Sequence, residues 1–267
     1  MDYNVKISLI ISVYKSMNFL DLVLQSVGLQ SYNNFEVIIA EDNDSDKMKE
    51  FINEQRKKYN FSIQHVSHPD IGVRKCKILN DAIKISQGQF LVFIDGDCIL
   101  HKNFLREYAK YQKLNYCLYG RRVMLDEDIT NILLETKDIS QLSLLKLFRT
   151  NSSHLEEGIY LPWFRLNLRA KNVAIKGCNF GISKEDMYKI NGFDEDYKNL
   201  TIGEDDDIKW RLKEAGIKFK SLRNKAVQYH LFHKRKDRSD IYEENFKLYQ
   251  KKKSKNQYFC DNGLVKQ

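Results

Sequence analysis

Asp95 and Asp97 flank Gly96 at the end of an apolar run, Phe90-Leu91-Val92-Phe93-Ile94. Two carboxylates at the end of a strand can hold a hard divalent cation, because such ions prefer oxygen donors. An Asp-Gly turn is the plainer use of the same residues. A second acidic group, Gly203-Glu204-Asp205-Asp206-Asp207, sets four carboxylates in a row. They would repel one another in a common environment, so some must meet a cation, a helix N-terminus or a substrate hydroxyl. A carboxylate in that position is also a candidate general base for an alcohol. His230 and His233 stand three apart and offer imidazoles that could complete an Asp/His metal site. Arg74, Lys75 and Lys77 open an apolar helical pattern. The helix macrodipole disfavours cations there, so they point to an anion that they meet.

These groups need a scaffold, and the chain supplies alternating strand and helix patterns. Lys6 to Val13, Phe35 to Ala40, Phe61 to Val66 and the run from Phe90 read as strands, the first two and the last mostly apolar as in a sheet covered on both faces. Between them lie helical patterns: one behind Ser16, one from Lys47 to Tyr59 capped by the acids Glu41 to Asp46, and one ending at Gly88. Asn103 to Leu114 reads as a helix and Tyr116 to Tyr119 as a strand. This alternation predicts a mostly parallel sheet, whose ligands sit beyond the carboxyl ends of the strands. Helical pieces follow near Ile129 to Glu135 and Ser140 to Phe148, then aromatics between Ile159 and Phe164 whose commonest use is core packing. Lys176 to Ser183 is extended, and Ser183 is placed to cap a helix closed by Asn191-Gly192. A helix from Ile208 to Ala215 closed by Gly216, strands at Lys218 to Ser221 and Lys225 to Tyr229, and a tail helix from Tyr242 to Gln250 complete the pattern.

The chain of 267 residues is long enough for one large domain and its core. A net charge of +8 suits anionic partners. Nucleic-acid binding is not expected, because lysines concentrate at Lys247 to Lys255 while carboxylates sit at strand ends. Five scattered cysteines argue against a disulfide framework and for a reducing compartment. No run approaches the roughly 18 apolar residues of a membrane span, and the N-terminus does not read as a signal peptide. A cytoplasmic protein is expected, peripheral at the inner face of the membrane. Lys251 to Lys255, helped by Leu248 and Tyr249, would touch anionic lipid there.

The motifs in their order resemble those of the nucleotide-sugar glycosyltransferases of the GT-A fold, family 2, with a C-terminal part similar to the galactosyltransferase-type segment. The resemblance rests on Ser12-Val13-Tyr14, Ala40-Glu41-Asp42, Gly72-Val73-Arg74-Lys75, Asp95-Gly96-Asp97, Gly177-Cys178-Asn179-Phe180, Asn191-Gly192-Phe193-Asp194, Gly203-Glu204-Asp205 and His230-Leu231-Phe232-His233. It implies an α/β, Rossmann-like sheet flanked by helices, in a single domain with a C-terminal acceptor-side subregion. Residues 1–124 would bind the nucleotide sugar, 125–240 would bind the acceptor and carry catalysis, and 241–267 would form a basic helical tail.

The implied activity is metal-dependent, inverting transfer of a hexose or N-acetylhexosamine from a UDP-sugar to a hydroxyl of a glycan or lipid-linked glycan of a surface polysaccharide. By resemblance Tyr14, Asp42, Arg74 and Asp95 contact the donor, with Glu41 and Lys77 as neighbours that could share the task. Asp97 and His233 bind Mn2+ or Mg2+, with Asp95 and His230 as alternative ligands. Asp205 is the catalytic base, and Asn179 and Glu204 contact the sugar or acceptor. The family's tryptophan before Gly-Glu-Asp is replaced by Leu200-Thr201-Ile202, which leaves Tyr197 or Trp163 to stack on the sugar. A catalytically inactive relative acting as a scaffold is the competing reading.

Overall fold

The computed structural model describes residues 4–163, 175–198, 203–234 and 239–266, without the side chains of 203–204 and 239–241. The first half alternates as its sequence pattern requires. It runs β1 (Ile7–Val13), α1 (Met17–Gly28), β2 (Phe35–Glu41), α2 (Asp46–Lys58), β3 (Ile63–Ser67), α3 (Lys75–Ile85) and β4 (Phe90–Asp95). After β5 (Cys98–Leu100) come α4 (Phe104–Tyr111), β6 (Tyr116–Tyr119), β7 (Val123–Met124), α5 (Glu127–Thr136) and the single turn α6 (Leu144–Leu147). The remainder contains β8 (Asn179–Ser183), α7 (Lys184–Tyr188), a π-helical turn at Gly203–Asp207, α8 (Ile208–Glu214), β9 (Lys218–Ser221), β10 (Gln228–His230) and α9 (Ser239–Ser254).

Seven strands form one sheet in the order β3-β2-β1-β4-β8-β6-β9. Only β8 runs against its neighbours, β4 and β6. Strand order reverses between β1 and β4, which places the carboxyl ends of these two strands at the switch point where such sheets bind ligands. Alternate side chains of β1, β2 and β4 serve opposite cores. Leu9, Ile11, Val37, Ile39 and Val92 pack with α1, α2 and α4, whereas Ile10, Ile38, Leu91 and Phe93 pack with α3, α7 and α8. Burial on both faces is why these strands read as unbroken apolar runs.

The stretch from Phe90 to Leu100 is two strands in two sheets. β4 ends at Asp95, and β5 joins a small second sheet, β5-β10-β7, with β10 in the middle. The turn at Gly96 is tight against β1: a Cβ there would stand 2.8 Å from Val13 Cγ2. Ser183 caps α7 by accepting a hydrogen bond from Asp186 N at 3.0 Å. Asn191 and Gly192 close that helix with φ of 61° and 73°.

Three expectations are corrected. Gly88 does not cap α3, which ends at Ile85. A Cβ at position 88 would lie 2.6 Å from Ser8 N and 2.7 Å from Lys6 O, so the glycine permits close approach to β1. The acidic run Glu41 to Asp46 supplies no side-chain cap to α2: Ser45, at its N-cap, makes no capping hydrogen bond, and Glu41 and Asp42 turn to His65 and His68. The tail helix α9 faces inward: Leu248 and Tyr249 pack on the core, and the Tyr249 ring lies 6.1 Å from Trp210. Buried Lys252 pairs with Asp194 and Asp196. No helix among the described residues is long and apolar enough to cross a membrane.

Candidate metal and donor site

The end of β4 and the middle strand of the small sheet bring three ligand-type residues together. His230 Nε2 lies 3.4 Å and His233 Nε2 3.3 Å from Asp97 Oδ2. One ligand atom from each residue falls within 4.8 Å of the others, close enough for one ion to bridge after small side-chain movements. The backbone fixes the approach, since β10 pairs His230 with Cys98 and Leu231 N donates to Asp97 O at 2.9 Å. His230 Nδ1 is buried with no hydrogen-bond partner.

Electrostatics put Asp97 and His230 in the protonation states that metal ligands need. Burial alone would raise Asp97, but the His233 hydrogen bond, the His230 imidazole and the Cys98 thiol bring its carboxyl down to about 2. Burial pushes His230 down to about 4; Asp97 opposes that shift and Arg122 adds to it. At neutral pH the pair is therefore a carboxylate and a neutral imidazole. The donor set, one carboxylate and two imidazoles, fits an ion such as Mn2+, which accepts nitrogen ligands, better than Mg2+, which favours oxygen.

Asp95 sits in a different set of contacts. Its Oδ1 accepts hydrogen bonds from Ser12 Oγ at 2.7 Å and Lys75 Nζ at 2.8 Å. It is not part of the three-residue cluster. Lys75 is thus the cation from the basic helix start that reaches the acidic pair, whereas Lys77 turns to Asp81 at 2.7 Å. Arg122, beyond β6, also belongs here. Burial disfavours its charge, but Cys178, Cys98, Asp95 and Asp97 more than offset that effect, so its guanidinium stays charged beside the acidic pair. Sequence reading placed Lys75 only within a basic run expected to meet an anion and assigned no role to Arg122. The basic run at 74–77 signalled one for Lys75, but nothing local distinguished Arg122.

The residues expected at the nucleotide lie along the neighbouring edge. Tyr14 is half exposed, with its hydroxyl 3.4 Å from Asp70 Oδ2. Asp42 is nearly buried, with Oδ1 2.6 Å from His68 Nε2 and Oδ2 accepting from Arg74 N at 2.9 Å. Its carboxylate thus holds the loop that carries Arg74. Glu41 is likewise paired with His65, 2.9 Å away. The Arg74 guanidinium donates to Pro69 O, while its Nε is buried without a partner. Arg74 and Lys77 line a cavity of about 460 Å³ with Glu195, Tyr197 and Lys198.

The four consecutive carboxylates separate. Asp207 is fully buried, 2.6 Å from Arg211 Nε and 3.0 Å from Tyr197 OH. Asp206 is exposed. Asp205 is half-buried and accepts a hydrogen bond from Gly177 N. The side chain of Glu204 and residues Leu200 to Ile202 lie outside the described residues. Tyr197 is 2% exposed and tied to Asp207, while Trp163 is 90% exposed, so neither is seated on the acidic pair.

Gly177-Cys178-Asn179 bridges the two parts of the site. Gly177 N–H holds Asp205, and Cys178 Sγ accepts from Arg122 at 3.0 Å. Gln228 Nε2 donates to Cys178 O at 3.0 Å and contacts Cys98 Sγ, whose thiol donates to Asp97 Oδ1 at 3.3 Å. Asn179 is fully buried. Its Oδ1 accepts from Tyr108 OH at 2.7 Å, and its Nδ2 donates to Arg121 O at 2.8 Å and Ala226 O at 3.2 Å. In this arrangement its amide ties β8 to α4 and to the loops that lead into β7 and β10, and it is turned away from solvent.

Comparisons with known proteins agree with this architecture. Residues 8–173 match the model of glycosyl transferase family 2, and residues 163–235 match that of the N-terminal domain of galactosyltransferase. Chondroitin synthase of Escherichia coli is 23% identical over 84% of this chain and 34% of its own length. The poly(ribitol-phosphate) beta-N-acetylglucosaminyltransferase TarS of Staphylococcus aureus is 26% identical over 59% of this chain and 30% of its own. The chain therefore spans about a third of the length of these curated relatives.

Among solved structures, crystalline TarS superposes with a TM-score of 0.57 at 17% identity, over 92% of this chain and 39% of that one. TarS has also been solved with UDP and with UDP-GlcNAc. A mannosyltransferase of Pyrobaculum calidifontis in complex with GDP-Man and Mn2+ superposes with a TM-score of 0.64 at 12% identity, over 95% of this chain and 65% of that one. These likenesses establish a GT-A-type fold. With the family model covering more than half its length, the chain belongs to glycosyl transferase family 2.

Proposed function

We propose that this chain is the catalytic domain of a metal-dependent inverting glycosyltransferase. It moves a hexose or N-acetylhexosamine from a UDP-sugar to a hydroxyl of a bacterial surface glycan. The observation that carries the reading is the convergence of Asp97, His230 and His233 at the switch point of the sheet. The surface-glycan context is drawn from the relatives, the UDP donor from the TarS complexes, and Mn2+ from the mannosyltransferase complex.

In this reading Asp97, His233 and His230 hold the ion. A divalent ion held there would neutralise charge developing on the departing diphosphate. The chain's own residues do the rest. Asp95, buttressed by Ser12 and Lys75, faces the ribose side. Lys75 and Arg122 add positive charge beside the acidic pair, where a leaving group gains negative charge. Tyr14 and Arg74 border the nucleotide, with Asp42 holding the Arg74 loop. Asp205, steadied by Gly177 N–H, accepts the proton of the acceptor hydroxyl as its oxygen attacks the anomeric carbon. A single displacement of this kind inverts that carbon. Residues 1–124 then form the donor half, 125–240 the acceptor half, and 241–267 a tail. The tail's exposed lysines 251, 253 and 255 are available to anionic partners.

The test is release of UDP from a panel of UDP-sugars with Mn2+ and an acceptor glycan. Turnover should vanish with EDTA and return with Mn2+, and Asp97→Ala should lack it at any Mn2+ concentration. Turnover that survives both would overturn the metal-dependent reading.

A further inference from the structure

The single turn α6 packs beside the small sheet that carries His230 and that begins one residue after Asp97. Its inward residue, Leu147, is fully buried in one cluster with Val123 and Tyr229 of that sheet and with Leu231 just after it. Its outward residues are unusual for a solvated turn: Leu145 is 82% and Phe148 65% exposed. Lys146 and Arg149 are exposed between and beside them. Trp163 stands 90% exposed at the end of the stretch that follows, after the half-open Ile159 and Leu161. That stretch is anchored beside α6, since a Cβ at Gly158 would touch Leu144 and Val123.

Large apolar side chains held in water at fixed places cost free energy unless something covers them. Cations interleaved with aliphatic and aromatic groups match a boundary of anionic headgroups over acyl chains. The same cations would face one another in a two-fold contact between copies of this chain, which disfavours that occupant. The surface also adjoins the candidate site. A groove of about 240 Å³ lined by Met124, Leu125, Phe232 and His233 opens beside the histidine pair. Met124 bridges to Ser153, just beyond α6.

We propose that the α6 turn, through Leu145, Lys146, Phe148 and Arg149, with Trp163, docks this domain on an anionic lipid surface. The groove beside His233 is then turned towards acceptors presented from that surface. The orientation towards an acceptor rests on the glycosyltransferase reading; the docking itself does not.

The test uses the full chain with vesicles of phosphatidylcholine, with and without phosphatidylglycerol, read by sedimentation and by tryptophan fluorescence. Trp210 is buried against Tyr249, so a change in emission reports Trp163. Binding to anionic vesicles should shift the emission to the blue, and Trp163→Phe should remove the shift. Leu145→Glu with Phe148→Glu should weaken partition by roughly a hundredfold, because each large side chain withheld from the bilayer costs about one decade. Both positions are exposed, so unchanged Mn2+-dependent UDP release would show that the fold is kept. Equal partition of the double variant and the parent would overturn the proposal. So would loss of binding only on replacing Lys251, Lys253 and Lys255, which would assign the contact to the tail, or self-association through Phe148 without vesicles. Vesicle binding without any UDP release would instead defeat the glycosyltransferase reading and leave the docking standing.

Discussion

Replacing Asp205 and Asp207 separately by asparagine should produce opposite failures, although the two residues are neighbours in one acidic run. Asp207 and Arg211 are both fully buried, and their contact at 2.6 Å is reinforced by Arg211 Nη1 donating to Ile190 O and Gly192 O, each at 2.8 Å. Asp207→Asn leaves a guanidinium without its counter-charge in a site that water does not reach. Breaking one partner of such a pair costs about 3–5 kcal/mol. That is a large share of the roughly 5–15 kcal/mol by which domains are stable. Asp205 is half-buried and accepts a hydrogen bond from the backbone amide of Gly177, so its asparagine variant should stay within about 1–2 kcal/mol of the parent. Its cost should fall on turnover instead, about 100-fold to 10,000-fold if it is the base. The assay is urea unfolding followed by circular dichroism, beside Mn2+-dependent UDP release on the same samples. The double replacement Asp207→Leu with Arg211→Met should be less damaging than Asp207→Asn alone, because no charge is then stranded. Asp207→Asn tolerated within about 1 kcal/mol, or Asp205→Asn unfolding as readily as Asp207→Asn, would refute this division of roles.

His230 should make stability depend on acidity. Its value falls from 6.5 to about 4 on folding, so the unfolded chain binds more protons between those values. Stability is fully present above pH 6.5 and lost as pH falls towards 4, by up to about 3 kcal/mol; His230→Gln should flatten that slope in urea titrations. Asp97 acts in the lower window: its stabilisation, present above its ordinary value of 3.8, is lost as pH falls towards 2. Lys75→Met, which strips Asp95 of its 2.8 Å partner, should raise KM for the donor and lower kcat by roughly tenfold or more, whereas Lys77→Met should do neither, in steady-state UDP release. Gly88→Ala should cost about 1–3 kcal/mol of unfolding free energy, because the new methyl would meet backbone atoms of β1, which cannot turn aside.

The scaffold was legible because its signals are local and repeated. Residues 7–13, 35–41 and 90–95 are mostly apolar and buried on both faces, as the strands of a covered, mostly parallel sheet are. The ends of α7 were equally readable, since Ser183 and the Asn191-Gly192 pair act within a few residues of their own positions. Gly88 misled because the same residue type serves a helix end and a close backbone approach, and the partner strand lies 80 positions away. The tail misled for the opposite reason. A run of lysines looks solvated until one of them, Lys252, finds Asp194 and Asp196 across the fold.

For the site, the sequence by itself determined which residue types were available: a pair of aspartates after a buried strand, two histidines three apart, and a row of four acids. Their order also carried the family resemblance. The resemblance coupled Asp97 with His233 and left Asp95 and His230 as alternatives; the tertiary structure decided which of these groups stand together. It joined Asp97 to His230 and His233 through the pairing of β5 with β10, and it gave Asp95 to Ser12 and Lys75. It also turned Asp207 into the core and left Asp205 at the amide of Gly177. Periodicity reports which way a side chain faces on its own element, whereas a carboxylate's role depends on the charge and water it meets from other elements, and those are fixed only when the sheets close.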